Sequence, residues 1–143
     1  HRMVVKLLEK VGDFIEMASK DLESIMNGDV KLRDADMGLL AKYTEEAASI
    51  YNEAFDSLAA KNPFKANSIV DSSSYLEREL RKASVEIGNK YSGAGDKSSI
   101  SLAPSVKSYL DNLAQVVNFS GTIAEAAINH SVIEPTTLKC KIE

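Results

Sequence analysis

The sequence predicts an all-α protein, an up-and-down bundle of four long antiparallel helices, on three observations. Apolar residues recur at alternating steps of four and three through four separate segments. The first three segments are joined by short breaks built from Asn, Gly, Asp and Pro, and short connections make antiparallel neighbours. No stretch alternates apolar with polar residues as a strand does. The chain has 143 residues, 44% hydrophobic and 27% charged, which is the composition of one globular domain with enough length to bury a core.

The first helix is expected from about Met3 to Asn27, with Val4, Leu8, Val11, Ile15, Ala18, Leu22 and Ile25 as its seam. Asn27-Gly28-Asp29 ends it, because glycine takes the left-handed conformation that follows a helix. Val30 to Asp34 is ambiguous, and Asp34 or Asp36 is the candidate cap of a second helix with seam Leu40, Tyr43, Ala47, Ile50 and Ala54. Lys61-Asn62-Pro63 stops that helix, and Pro63 or Phe64 opens a third. The stripe of the third is Ala66, Ile69, Ser73, Leu76, Leu80, Ala83 and Ile87, with a weak spot at Ser72-Ser73-Ser74. Tyr91 to Ser99 reads as the one long flexible loop. The fourth helix should start near Leu102 to Pro104 and continue to about Ser131, on Val106, Leu110, Leu113, Val117, Ser120, Ala124 and Ala127. Between Pro104 and His130 its only charges are Lys107, Asp111 and Glu125, so it belongs at the centre. Ala114, Ser120, Gly121, Ala124 and Ala127 would let neighbours approach it closely, and Asn118 and Ser120 are candidates for hydrogen bonds across the core.

Charge and motif content exclude several function classes. A net charge of -4 and a pI near 5.3, without a Lys/Arg cluster, argue against direct nucleic-acid binding. Leu113 to Ile123 is too short and too polar to span a bilayer, and no secretory signal is visible, so a cytoplasmic protein is expected. The lone Cys140 cannot form an internal disulfide, which fits a reducing compartment. Gly93 to Ser99 lacks the spacing of a phosphate-cradling loop. His130 falls at a helix end where a cation suits the dipole, and no nucleophile, base and orienting group assemble, so no enzyme is predicted. Asn118-Phe119-Ser120 and Asn129-His130-Ser131 match the glycosylation pattern by chance on the most buried helix. Glu9 and Asp13 stand one helical turn apart, an arrangement that repels by a few tenths of a kcal/mol unless a cation or a neighbouring lysine relieves it. Lys6 and Lys10 are at hand for that, and Glu16 with Lys20 and Glu77 with Arg81 are spaced as surface ion pairs.

Leu8-Glu9-Lys10-Val11-Gly12-Asp13 resembles the L-E-[RK]-[IV]-[GA]-D segment of the PhoU family of phosphate-uptake regulators. Ile123-Ala124-Glu125-Ala126-Ala127-Ile128-Asn129 is similar to the I-A-E-x-A-I-N run that ends the last helix of archaeal members. The resemblance implies a division into residues 1–29, the last helix of a first repeat, and residues 30–132, a three-helix repeat; Pro135 and the β-branched residues around it mark residues 133–143 as an extended or disordered tail. The opening His1-Arg2-Met3, inside what reads as a helix, suggests a fragment or a tag scar. Family acidic motifs hold iron or zinc clusters, and Glu9 and Asp13 are the pair that matches. The equivalent motif of the fourth helix falls on Ala114 and Asn118, and that of the third on Asp71 and Tyr75, so one pair cannot supply a cluster. The implied function is restraint of phosphate uptake and phosphate signalling by protein–protein interaction. The implied partners are the ATPase of a phosphate ABC transporter or a sensor histidine kinase. A first helix lacking its repeat partners should leave its seam partly uncovered, which predicts a homodimer or swapped assembly. The alternatives are a metal-binding bundle using the surface acids and a helical dimerisation module.

Overall fold

In the computed structural model four helices follow one another: α1 Arg2–Asn27, α2 Asp34–Ala60, α3 Pro63–Ser92 and α4 Lys97–Ile142. The structure describes residues 2–93, 95 and 97–142, and the side chains of all of these except Ser98 and residues 130–142, so His130 and Cys140 lie outside the described side chains. The fold is the all-helical bundle the periodicity predicts. No helix among the described residues is long and apolar enough to cross a membrane.

α4 is the axis. α1, α2 and α3 all pack on it, and among the described residues the one other pair whose backbones come close is α2 with α3. Every expected seam residue of α4 from Val106 to Ala127 is buried, together with Tyr109, Val116 and Ile123. The full stripe of α3 from Ala66 to Ile87 is buried as well. Asp21 of α1 meets Ser108 and Asn112 of α4, while Phe14 stacks on Phe119 with ring centroids 5.7 Å apart. Numbers that fall on α1 as they rise on α4 make the two helices antiparallel. The same holds for α3, whose Ser84 donates to the Lys107 carbonyl while Ser73 lies beside Gly121.

Consecutive helices are not always neighbours. No Cα of α1 lies within 8 Å of a Cα of α2 or α3 among the described residues, so α1 is held through α4. The connection between α1 and α2 carries Leu32, only 5% exposed, into the core. There it joins an apolar cluster with Ile25 of α1 and Leu40 of α2. Val4, Val11, Ala18 and Ile25 are buried on the α4 side of α1, whereas Leu8 and Leu22 are half-buried and Ile15 is 47% exposed.

Local expectations are corrected at five places. Neither Asp34 nor Asp36 caps α2; Arg33 is the cap residue without a side-chain bond, and the Asp36 carboxylate bonds to Tyr91 and Lys90 instead. Ser120 Oγ donates to the Val116 carbonyl of its own helix at 2.7 Å and Asn118 is exposed, so neither bonds across the core. The cross-helix polar contact comes from Asn112, whose Nδ2 donates to Asp21 Oδ2 at 2.8 Å. The Tyr91–Ser99 loop is shorter than expected: buried Tyr91 and then Ser92 belong to α3, Gly93 N–H closes it on the Asn89 carbonyl at 2.9 Å, and α4 opens at Lys97. Ala94 and Asp96 of that loop lie outside the described residues. α4 also starts ahead of Pro104, where burial of Leu102 and Ala103 offsets the backbone hydrogen bond a proline forgoes. Its backbone continues to Ile142, through residues 133–142 where an extended or disordered tail was expected. Extending an existing helix needs no new nucleus, so the local preferences of Pro135 and its β-branched neighbours are overridden.

Other boundaries follow the local chemistry. Asn62 Oδ1 accepts the Lys65 N–H at 3.1 Å and caps α3 ahead of Pro63. Helix α3 is continuous through Ser72-Ser73-Ser74, with the Ser73 hydroxyl turned back to the Val70 carbonyl at 2.8 Å. A Cβ added at Gly121 would collide with that hydroxyl and stand 3.3 Å from Ser73 Cβ, so α3 and α4 come together closely here and an alanine would have to displace the Ser73 hydroxyl. Gly121→Ala should lower stability by up to about 2 kcal/mol, overpacking of about 1–3 kcal/mol being set against the roughly 1 kcal/mol that alanine gains over glycine in a helix. The same change in a Ser73→Ala background should be close to neutral. Thermal unfolding of the four proteins measures that coupling.

Candidate functional site

Because α1 and α2 both rest on α4 without a close backbone approach to each other, an apolar cleft of about 310 Å3 lies between them. Its walls are Ile15, Ala18, Ser19 and Leu22 of α1 and Thr44, Ala47, Ala48, Tyr51 and Asn52 of α2, and its floor is Tyr109, Leu113 and Val116 of α4. The sequence places these residues there by helical spacing. Positions 15, 18, 19 and 22 share one face of α1, as do 44, 47, 48, 51 and 52 on α2. The Thr44 hydroxyl donates to the Leu40 carbonyl at 2.7 Å and is 2.6 Å from the Tyr109 hydroxyl. Both groups are satisfied by each other and by the backbone, and what they present to the cleft is mainly carbon. A surface of this kind favours apolar contact over polar catalysis.

Two polar clusters hold the walls of this region. Near the start of α2, Asp36 accepts from Tyr91 Oη at 2.6 Å and from Lys90 Nζ at 3.0 Å, and Tyr91 Oη in turn accepts the Arg33 N–H at 2.9 Å. Burial pushes the Asp36 carboxyl up, but the Tyr91 and Lys90 hydrogen bonds and the Lys90 charge outweigh it and hold the group below its ordinary 3.8. Burial and the bond to Asp36 push Tyr91 up. On the other wall, Asp21 accepts from Ser108 Oγ at 2.7 Å and from Asn112, which is 6% exposed, and so fixes α1 against α4. Neither cluster was legible beforehand, because each joins residues far apart in the chain. The one hint was an aspartate or asparagine adjoining an apolar seam.

The predicted site residues are placed elsewhere. Glu9 and Asp13 are both exposed on α1, and Glu9 borders a shallow hollow with Arg2 and Lys6. Asp71 and Tyr75 border an open hollow between α2 and α3 with Glu46 and Glu53, and Lys42 lies 3.9 Å from Glu46. No group of three or more His, Cys, Asp or Glu side chains among the described residues is arranged to hold a metal ion. The expected Glu16–Lys20 pair forms at 3.7 Å with both side chains exposed, and Arg81 lies 3.8 Å from Asp111 of α4. Burial, and after it the charges of Glu79, Glu46 and Glu86, raise the Tyr43 hydroxyl.

Compared with known protein families, curated proteins and solved structures, the chain matches none.

The lowered Asp36 carboxyl fixes the sign of a pH effect. Its contribution to stability is complete above the ordinary carboxylate range and is lost as pH falls through the lowered native value. Asp36→Asn should therefore cost about 1–3 kcal/mol at neutral pH, and the difference from the parent should shrink toward zero in acid. Urea titrations of both proteins across that pH range give the result.

Proposed function

We propose that the chain is a PhoU-like regulator that restrains phosphate uptake and phosphate signalling by binding another protein, without catalysis of its own. The observation that carries this reading is the open apolar cleft between α1 and α2, a carbon-lined trough whose hydroxyls are already bonded. The resemblance of the Glu9–Asp13 and Ile123–Asn129 segments to that family supplies the phosphate connection, and the candidate partners are a phosphate transporter ATPase and a sensor histidine kinase. We include self-association in the proposal. Met3 and Met17 are about half exposed on the side of α1 turned from the cleft, where a second copy would dock without closing it.

Uptake of labelled phosphate by phosphate-replete cells tests the role. Deletion of the gene should raise uptake several-fold, and the intact chain should restore the restraint. Uptake and phosphate-responsive expression that stay unchanged on deletion would contradict the proposal.

A further inference from the structure

We propose that the cleft between α1 and α2 seats an amphipathic helix of another protein whose polar flanks carry Lys or Arg. This inference rests on the reading of the chain as an adaptor and names the chemistry of its partner.

The dimensions come from the lining. The cleft is walled from Ile15 to Leu22 on α1 and from Thr44 to Asn52 on α2. At 1.5 Å per residue those spans are about 10–12 Å, or two helical turns. Ala18, Ser19, Ala47 and Ala48 are small, so a third helix can bring its backbone near both walls while its larger apolar side chains enter the trough.

The charge comes from the lips. Exposed Glu16, which Lys20 approaches at 3.7 Å, and Glu23 stand three and four residues from Ser19 on α1, and exposed Glu45 and Asp56 stand three and four residues from Ala48 and Asn52 on α2. Those spacings set the four acids along the outer edges of the same helix faces. No lysine or arginine lines the cleft. A helix with an apolar seam between two basic rows meets carbon in the trough and carboxylates on both lips. A second copy of this chain, with its net charge of -4, brings like charge to like and fits less well.

A fluorescently labelled peptide of about 18 residues, long enough to be helical, is the probe. It carries a Leu seam with Lys on both flanks, and its counterpart carries Glu in place of Lys. In fluorescence anisotropy the full chain should bind the Lys peptide at least about tenfold tighter than the Glu peptide. Added salt should reduce that preference. Ala48→Trp fills the trough from an exposed position and should abolish binding; Ser19→Trp does the same from the other wall should the first variant fold poorly. The combined change Glu16→Lys, Glu23→Lys and Glu45→Lys should invert the preference. Equal binding of both peptides, or binding that survives a filled trough, overturns the inference. Regulated phosphate uptake without peptide binding would remove the cleft and keep the adaptor. Peptide binding without any effect on uptake would keep the cleft and remove the phosphate role.

Discussion

Close approach to one central helix is the constraint on which the rest of the structure depends. α4 is nearly uncharged from Pro104 to Asn129 and carries Ala114, Ser120, Gly121, Ala124 and Ala127 on its buried face. Small side chains let neighbouring backbones come near, so that larger residues such as Leu80, Leu110 and Ile123 fill the space around them without voids. Removing one of these large side chains would cost about 2–5 kcal/mol. The three remaining helices need only one apolar face each, and all three turn that face to α4.

A single helix cannot be surrounded by three others without leaving gaps between some of them. α2 and α3 close their gap by packing on each other, whereas α1 and α2 do not. The cleft is the consequence, and its acidic lips follow from glutamates and an aspartate standing one turn outside the apolar faces. The polar clusters at Asp36 and Asp21 then keep the walls in place, each satisfying buried groups that would otherwise be costly to leave unpaired. The proposed docking role would come from incomplete coverage of a well-packed axis.

The helices were legible in the sequence because their periodicity is strong. The α3 stripe and the α4 seam are buried residue for residue, since both helices face neighbours on several sides. The seam of α1 was half legible. Its steps of four and three mark Ile15 and Leu22 as core alongside Val11 and Ala18, but periodicity cannot say whether a partner lies opposite each row. The cleft was invisible for the same reason: it depends on α1 and α2 standing apart, which their short connection argued against. Asp36 was read as a cap from local chemistry, and the tertiary contact with Tyr91 and Lys90, more than fifty positions away, prevailed. Glu9 and Asp13 were singled out by spacing and resemblance, and spacing alone places them on the exposed face they occupy.

The central claim is that the backbone of α1 packs closely on α4 and on neither of the other two helices. Native-state hydrogen exchange measured helix by helix addresses it most directly. The account predicts that α1 amides between Val11 and Ser24 open in a separate step, at lower free energy than those of α3 and α4, which exchange together by global unfolding. Amides of α1 that exchange in the same unit as the middle of α4 would contradict it.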